Sequence, residues 1–145
     1  MLLSNSYIDD EKIINRLYEI HRRTVPKFES CTGISQTRLE LLHELYEVEE
    51  ISQRALQKKV NIDHAAVTRH LKQLEDKGMV IRRKDPKDQR FTYVSLSEEG
   101  RLKIIHYREE KERFISGVLH DFSAEERKTL LEMLTRIQHN IEHFE

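Results

Sequence analysis

The apolar positions recur at helical spacing over most of the chain, and in one short stretch they alternate instead. Ile13, Ile14, Leu17, Ile20, Val25 and Phe28 predict a first helix from about Asp9 to Phe28. Pro26 is expected to kink or end it, and Cys31, Thr32 and Gly33 read as a loop. Ser35 is placed to cap a second helix carrying Leu39, Leu42 and Leu45, which fades at the acidic run beginning with Glu47. Ser52 then caps a short helix with Ala55, Leu56 and Val60 inward. Asn61 suits its left-handed end, Ile62 packs the turn and Asp63 caps the next helix. From Asp63 to Gly78, Ala66, Val67, His70, Leu71 and Leu74 share one face; His64, Ala65, Thr68, Arg69 and Lys72 share the other. Gly78 ends this helix.

The runs 79–84 and 91–96 alternate and are β-rich, and the turn formers Asp85 and Pro86 lie between them, which predicts a hairpin with a basic tip. Ser97 caps a long helix, with Glu98 and Glu99 against its positive end. Its apolar residues include Leu102, Ile105, Phe114 and Ile115, but the middle, from Arg108 to Arg113, is charged. Ser123, Ala124, Glu125 and Glu126 form a capping box. After it Leu130, Leu134, Ile137, Ile141 and Phe144 recur at alternating spacings of four and three, a narrow seam for helix-to-helix packing. We read it as a dimer seam shared with the first helix; packing within one chain fits the same pattern. The elements together predict a mostly α fold with a small β wing.

Composition agrees with this reading. Of 145 residues, 35% are charged and only four are glycine and two proline, as in helix-rich proteins rather than β sandwiches. Charge changes the picture more. The net value is -1, yet between Arg54 and Arg90 eleven Lys and Arg stand against five Asp and Glu. Basic charge is therefore concentrated on the short helices and hairpin, the footprint of a nucleic-acid surface on an acidic body. Helix, three-residue turn and helix is the arrangement in which the second helix enters a major groove, and a hairpin after it makes the motif a winged one. Arg69 is the candidate for base readout, because its fork donates two bonds to guanine. Lys72, Lys84 and Lys87 are candidates for phosphate contacts. No apolar run approaches a membrane span and no leader is readable, so a cytoplasmic protein without a membrane partner is expected. The lone Cys31 agrees with a reducing compartment.

Leu56 to Ile62, Val67 to Arg69, Leu74 to Val80, then Arg83, Asp85, Asp88, Arg90 and Val94 to Gly100 form an ordered series that resembles the MarR family of bacterial transcription regulators. The resemblance implies a winged helix-turn-helix protein forming an obligate-type homodimer with interleaved terminal helices. It implies a repressor on a pseudo-palindromic operator in double-stranded DNA, released by a small-molecule effector or an oxidant. Carried over by position, His64, Ala65, Thr68, Arg69 and Lys72 face the groove, and Ser52 and Gln53 lie near phosphates at a helix start. Arg90 matches the wing arginine, Asp88 the acidic residue that holds the wing, and Arg83 stands in the same basic hairpin. The expected segments are a dimerisation helix and loop over 1–34, a DNA-binding domain over 35–100 and C-terminal dimerisation helices over 101–145.

Sensing is less defined. Cys31 is a candidate redox site near Lys27, although the family's peroxide sensors carry their cysteine early in the first helix, where this chain has none. His43, beside Glu40 and Glu44, and His106, beside Glu109 and Glu110, are an alternative zinc set of the kind some family members use. No cofactor is called for. The chain has no phosphate-cradling glycine loop or nucleophile motif, so an enzyme is not expected. The competing reading is a winged-helix protein-interaction module, which needs no cationic recognition face.

Overall fold

The structure, a computed structural model, describes residues 5–144. Its elements run α1 (Asn5–Thr32), α2 (Gln36–Tyr46), β1 (Ile51–Ser52), α3 (Gln53–Val60), α4 (His64–Asp76), β2 (Val80–Lys84), β3 (Thr92–Leu96), α5 (Glu98–Val118) and α6 (Ala124–Glu142). Two compact units divide at Lys111 and Glu112. The second expected segment boundary, after residue 100, falls instead within the first turn of α5.

Most helix starts follow from a local hydrogen bond. The side chains of Ser35, Ser52, Asp63 and Ser123 accept from Arg38 N, Ala55 N, Ala66 N and Glu126 N. Each satisfies one of the amide protons that a helix start leaves unpaired. Asn61 takes a left-handed φ of 50° at the end of α3, and Gly78 a φ of +76° just past α4. These two reversals set the turn between α3 and α4 and the exit into the hairpin.

α1 departs from expectation at its C-terminal end. Pro26 lies inside it, and the helix runs on through Cys31 and Thr32 to Gly33, whose φ is +84°. A proline leaves the carbonyl four residues back without its donor. Here that carbonyl belongs to exposed Arg22, where water can replace the bond. Beyond the proline, buried Phe28 and Thr32 anchor the last turns, and Thr32 Oγ1 lies 2.7 Å from Phe28 O. The packing of those turns outweighs the lost bond.

The core lies in the first unit. Leu39, Leu41, Leu42 and Leu45 are each at most 1% exposed, so α2 is enclosed by its neighbours. Leu56 of α3, Val67, Leu71 and Leu74 of α4, Val94 of β3 and Ile104 of α5 complete it. Each leucine taken out of water contributes about 1.5–3 kcal/mol. The hairpin pairs Val80 with Leu96 and Lys84 with Thr92. A third, two-residue strand absent from the sequence reading, β1, adds to the free edge of β3 through Ile51 to Val94 and Ser52 to Tyr93, giving the order β1-β3-β2. This ties the wing directly to the start of α3. In α5 it is Gly100 and Ile104 that are buried, while Leu102 and Ile105 stay exposed. α6 has no buried residue, and Leu131, Met133, Leu134 and Ile141 are exposed along it. No helix among the described residues is long and apolar enough to cross a membrane.

Candidate nucleic-acid interface

α4 divides into two faces. Val67, Leu71 and Leu74 are buried, and His64, Ala65, Thr68, Arg69 and Lys72 are exposed. Arg38 of α2 braces the helix from behind, donating from Nε to His70 Nδ1 at 3.3 Å and from Nη2 to Gln73 Oε1. Arg82 of β2 reaches Glu75 at 3.1 Å, in the last turn of the helix. The side chains of Arg69 and Lys72 have no hydrogen-bond or ion-pair partner within the described chain, so their donors point only to solvent.

α3 supports the start of α4. Ser52 is half-buried and is the N-cap of α3. Gln53, expected near a phosphate, has its side chain turned inward: it is 9% exposed and donates to Thr68 Oγ1 at 2.9 Å. The polar amide goes inside because Thr68 gives it an acceptor there, which an unpaired buried amide would lack. Gln57, not singled out in the sequence, reaches His64 Nδ1 at 3.1 Å.

The wing is stiffened by its own side chains. Asp88 accepts from the Arg90 backbone at 3.1 Å and from its guanidinium at 2.8 and 3.0 Å, and these bonds hold the Asp88 carboxyl below its ordinary range. The Arg90 side chain stays 87% exposed, so the pair sets direction more than stability. Arg83 lies elsewhere than expected. It forms a fork with Glu50 at 2.8 and 2.6 Å and covers the Tyr93 ring at 4.7 Å, so its Nε and Nη2 are already engaged by the loop before β1. Lys84 donates to Thr92 across the hairpin at 3.0 Å. Lys87 lies exposed at the tip. Arg54 of α3, which the sequence reading passed over, sits 5.9 Å from the Phe91 ring and adds an exposed cation beside the wing. Its only sequence signal was its place in the basic segment.

The sensing candidates are not brought together. His43 Nδ1 takes a guanidinium, Arg108, at 2.9 and 3.1 Å, and no group of three or more His, Cys, Asp or Glu gathers to hold a metal among the described residues. At the zinc alternative of His43 and His106, the described residues bring no third ligand to His43, whose Nδ1 faces an arginine. Cys31 is exposed in the last turn of α1.

Both braced histidines lie below the ordinary value of 6.5. For His70 burial is the main cause and the charges of Arg38 and Arg69 add to it; for His43 burial again leads, followed by Arg108 and Lys111. The folded chain thus resists a proton that the unfolded chain accepts. Stability is fully present above the ordinary histidine value and declines as pH falls through it towards the folded values. The thermal midpoint should drop between about pH 7.5 and 5.5, and His70→Asn should reduce the drop. A midpoint constant over that range would remove the assignment.

Several proteins are similar to this chain. The model of the MarR family matches residues 34–92. An HTH-type transcriptional regulator of Bacillus subtilis (strain 168), YdgJ, is 51% identical over 144 residues, covering 99% of this chain and 88% of its own length. Two solved structures share the fold. The PcaV transcriptional regulator of Streptomyces coelicolor superposes with a TM-score of 0.83 at 16% identity, over 90% of this chain and 97% of its own. A mutant MarR from E. coli, solved in complex with operator DNA, does so at 0.74 and 20% identity, over 92% of this chain and 99% of its own.

Proposed function

The chain belongs to the MarR family of transcriptional regulators, DNA-binding proteins rather than enzymes, and from that premise we propose that it is a repressor that binds a pseudo-palindromic operator as a homodimer and releases it when an effector acts. The observation that carries this reading is the outer face of α4. Arg69 and Lys72 are exposed and unpartnered there, on a helix whose opposite face is sealed into the core. A fully formed, cationic and short-chained helix face fits a major groove about 12 Å wide. Arg69 would read guanine, and Lys72 and Lys87 would meet phosphates. Arg90, aimed by Asp88, would contact the backbone or the minor groove beside the wing. Arg83 and Lys84 would act by holding the hairpin.

Dimerisation is supported by the apolar side chains that α1 and α6 each leave in solvent, among them Ile13, Ile14 and Tyr18 on the first and Leu131 and Ile141 on the second. Two copies related by a two-fold axis would present two α4 helices about 34 Å apart, one turn of duplex.

Fluorescence anisotropy with random duplex DNA at two salt concentrations tests the reading. Affinity should fall steeply with salt, with a slope of about -0.9 per neutralised phosphate. A protein-interaction module would show neither binding nor slope. Sedimentation at micromolar concentration should return a dimer, and a monomer would rule out the paired-helix geometry.

A further inference from the structure

Two glutamines of α3 determine what the first turn of α4 can offer a ligand. Gln57 Oε1 lies 3.1 Å from His64 Nδ1. An amide oxygen only accepts, so the ring proton belongs on Nδ1, and the neutral imidazole then carries a bare lone pair on Nε2. One turn further, Thr68 Oγ1 donates to His64 O at 3.0 Å and accepts from Gln53 Nε2 at 2.9 Å. Its single proton is engaged, leaving a lone pair and a methyl group. Arg69 and Lys72, by contrast, carry donors alone.

We propose that Gln57 is a specificity-determining positioning residue: through the His64 tautomer it makes the first turn of α4 a hydrogen-bond acceptor, opposite in polarity to the donor surface at Arg69 and Lys72. The proposal rests on the DNA-reading function above. In the major groove acceptors meet base amines, adenine N6 or cytosine N4, whereas arginine meets guanine O6 and N7. Each half-site should thus place an adenine or cytosine opposite His64 and a guanine opposite Arg69. With the other tautomer His64 would donate, and would favour the acceptors of guanine or thymine at the same position.

The first arm of the test uses labelled protein without DNA. Long-range proton–nitrogen correlation should report the Nδ1–H form of His64 in the wild type and a loss of that form in Gln57→Leu; an Nε2–H wild type overturns the proposal. The second arm selects bound duplexes from a random pool with both proteins. Gln57→Leu should lose roughly two- to tenfold of the preference at the His64 position, the worth of one hydrogen bond, and keep the guanine preference that depends on Arg69. Specific binding with an unchanged preference at that position would overturn the role of Gln57 alone. A wild type that binds no duplex would overturn the DNA-reading function, and this proposal with it.

Discussion

Arg69→Ala is expected to remove the guanine preference of each half-site while leaving the fold intact. The residue is exposed on α4 and bonds to nothing else in the described chain, so its removal opens no cavity and orphans no partner. Its fork is suited to the paired acceptors of guanine, and losing one such pairing costs roughly 1 to 3 kcal/mol. A two-fold dimer loses it twice. Arg69→Lys should recover affinity for random DNA but not the preference, because an ammonium cannot make the bidentate contact. Titrating a selected duplex against a random one, at fixed salt, reads both quantities. A guanine preference that survives Arg69→Ala would move the reading of that base to another residue. Lys72→Ala, by comparison, should weaken all duplexes alike and reduce the salt slope by about one.

Gly100→Ala, in the first turn of α5 against the root of the hairpin, is expected to be the most damaging small substitution. A Cβ there would stand 2.9 Å from Leu96 Cδ1 and closer still to the Met79 carbonyl oxygen. That oxygen cannot easily retreat, since it accepts from Ser97 N at 3.0 Å. Ser97 is itself fixed, its hydroxyl donating to Gly78 O at 2.6 Å and accepting from Gly100 N at 2.9 Å. The end of α4, the root of the hairpin and the start of α5 thus meet at one place with no room for a methyl group. Overpacking of a rigid site costs 1–3 kcal/mol or more, so we expect a loss of about 3 kcal/mol. At this chain length that lowers the thermal midpoint by about 10 °C, measured at one protein concentration because a dimer's midpoint depends on it. A midpoint within about 2 °C of the wild type would show that the backbone yields there.

The parts of this molecule that could be read in advance are those governed by near neighbours in the chain. A cap joins residues three apart, so Ser35, Ser52, Asp63 and Ser123 announced their helices. Asn61 and Gly78 announced left-handed ends for the same reason. The two faces of α4 followed from a period of 3.6 over thirteen residues. The fate of the long polar side chains was not readable, because their partners lie far along the chain. Arg83 finds Glu50 and Arg38 finds His70, each more than thirty positions away. In sequence both arginines are simply charged surface candidates.

By itself, then, the amino-acid sequence determined the order of helices, the turn between α3 and α4, the hairpin, and which side chains of α4 face out. Those features rest on local hydrogen bonds and on periodic burial, both written within a few residues. Only the tertiary structure decided that Pro26 sits inside a continuous helix, that β1 closes the sheet, and that Gln53 turns inward. It alone placed Arg83 on Glu50 and Gln57 against His64. The physical reason is the same in each case. A buried amide, a fork of donors or an open strand edge is satisfied by whatever group the fold brings within about 3 Å, and that group is chosen by packing, not by spacing.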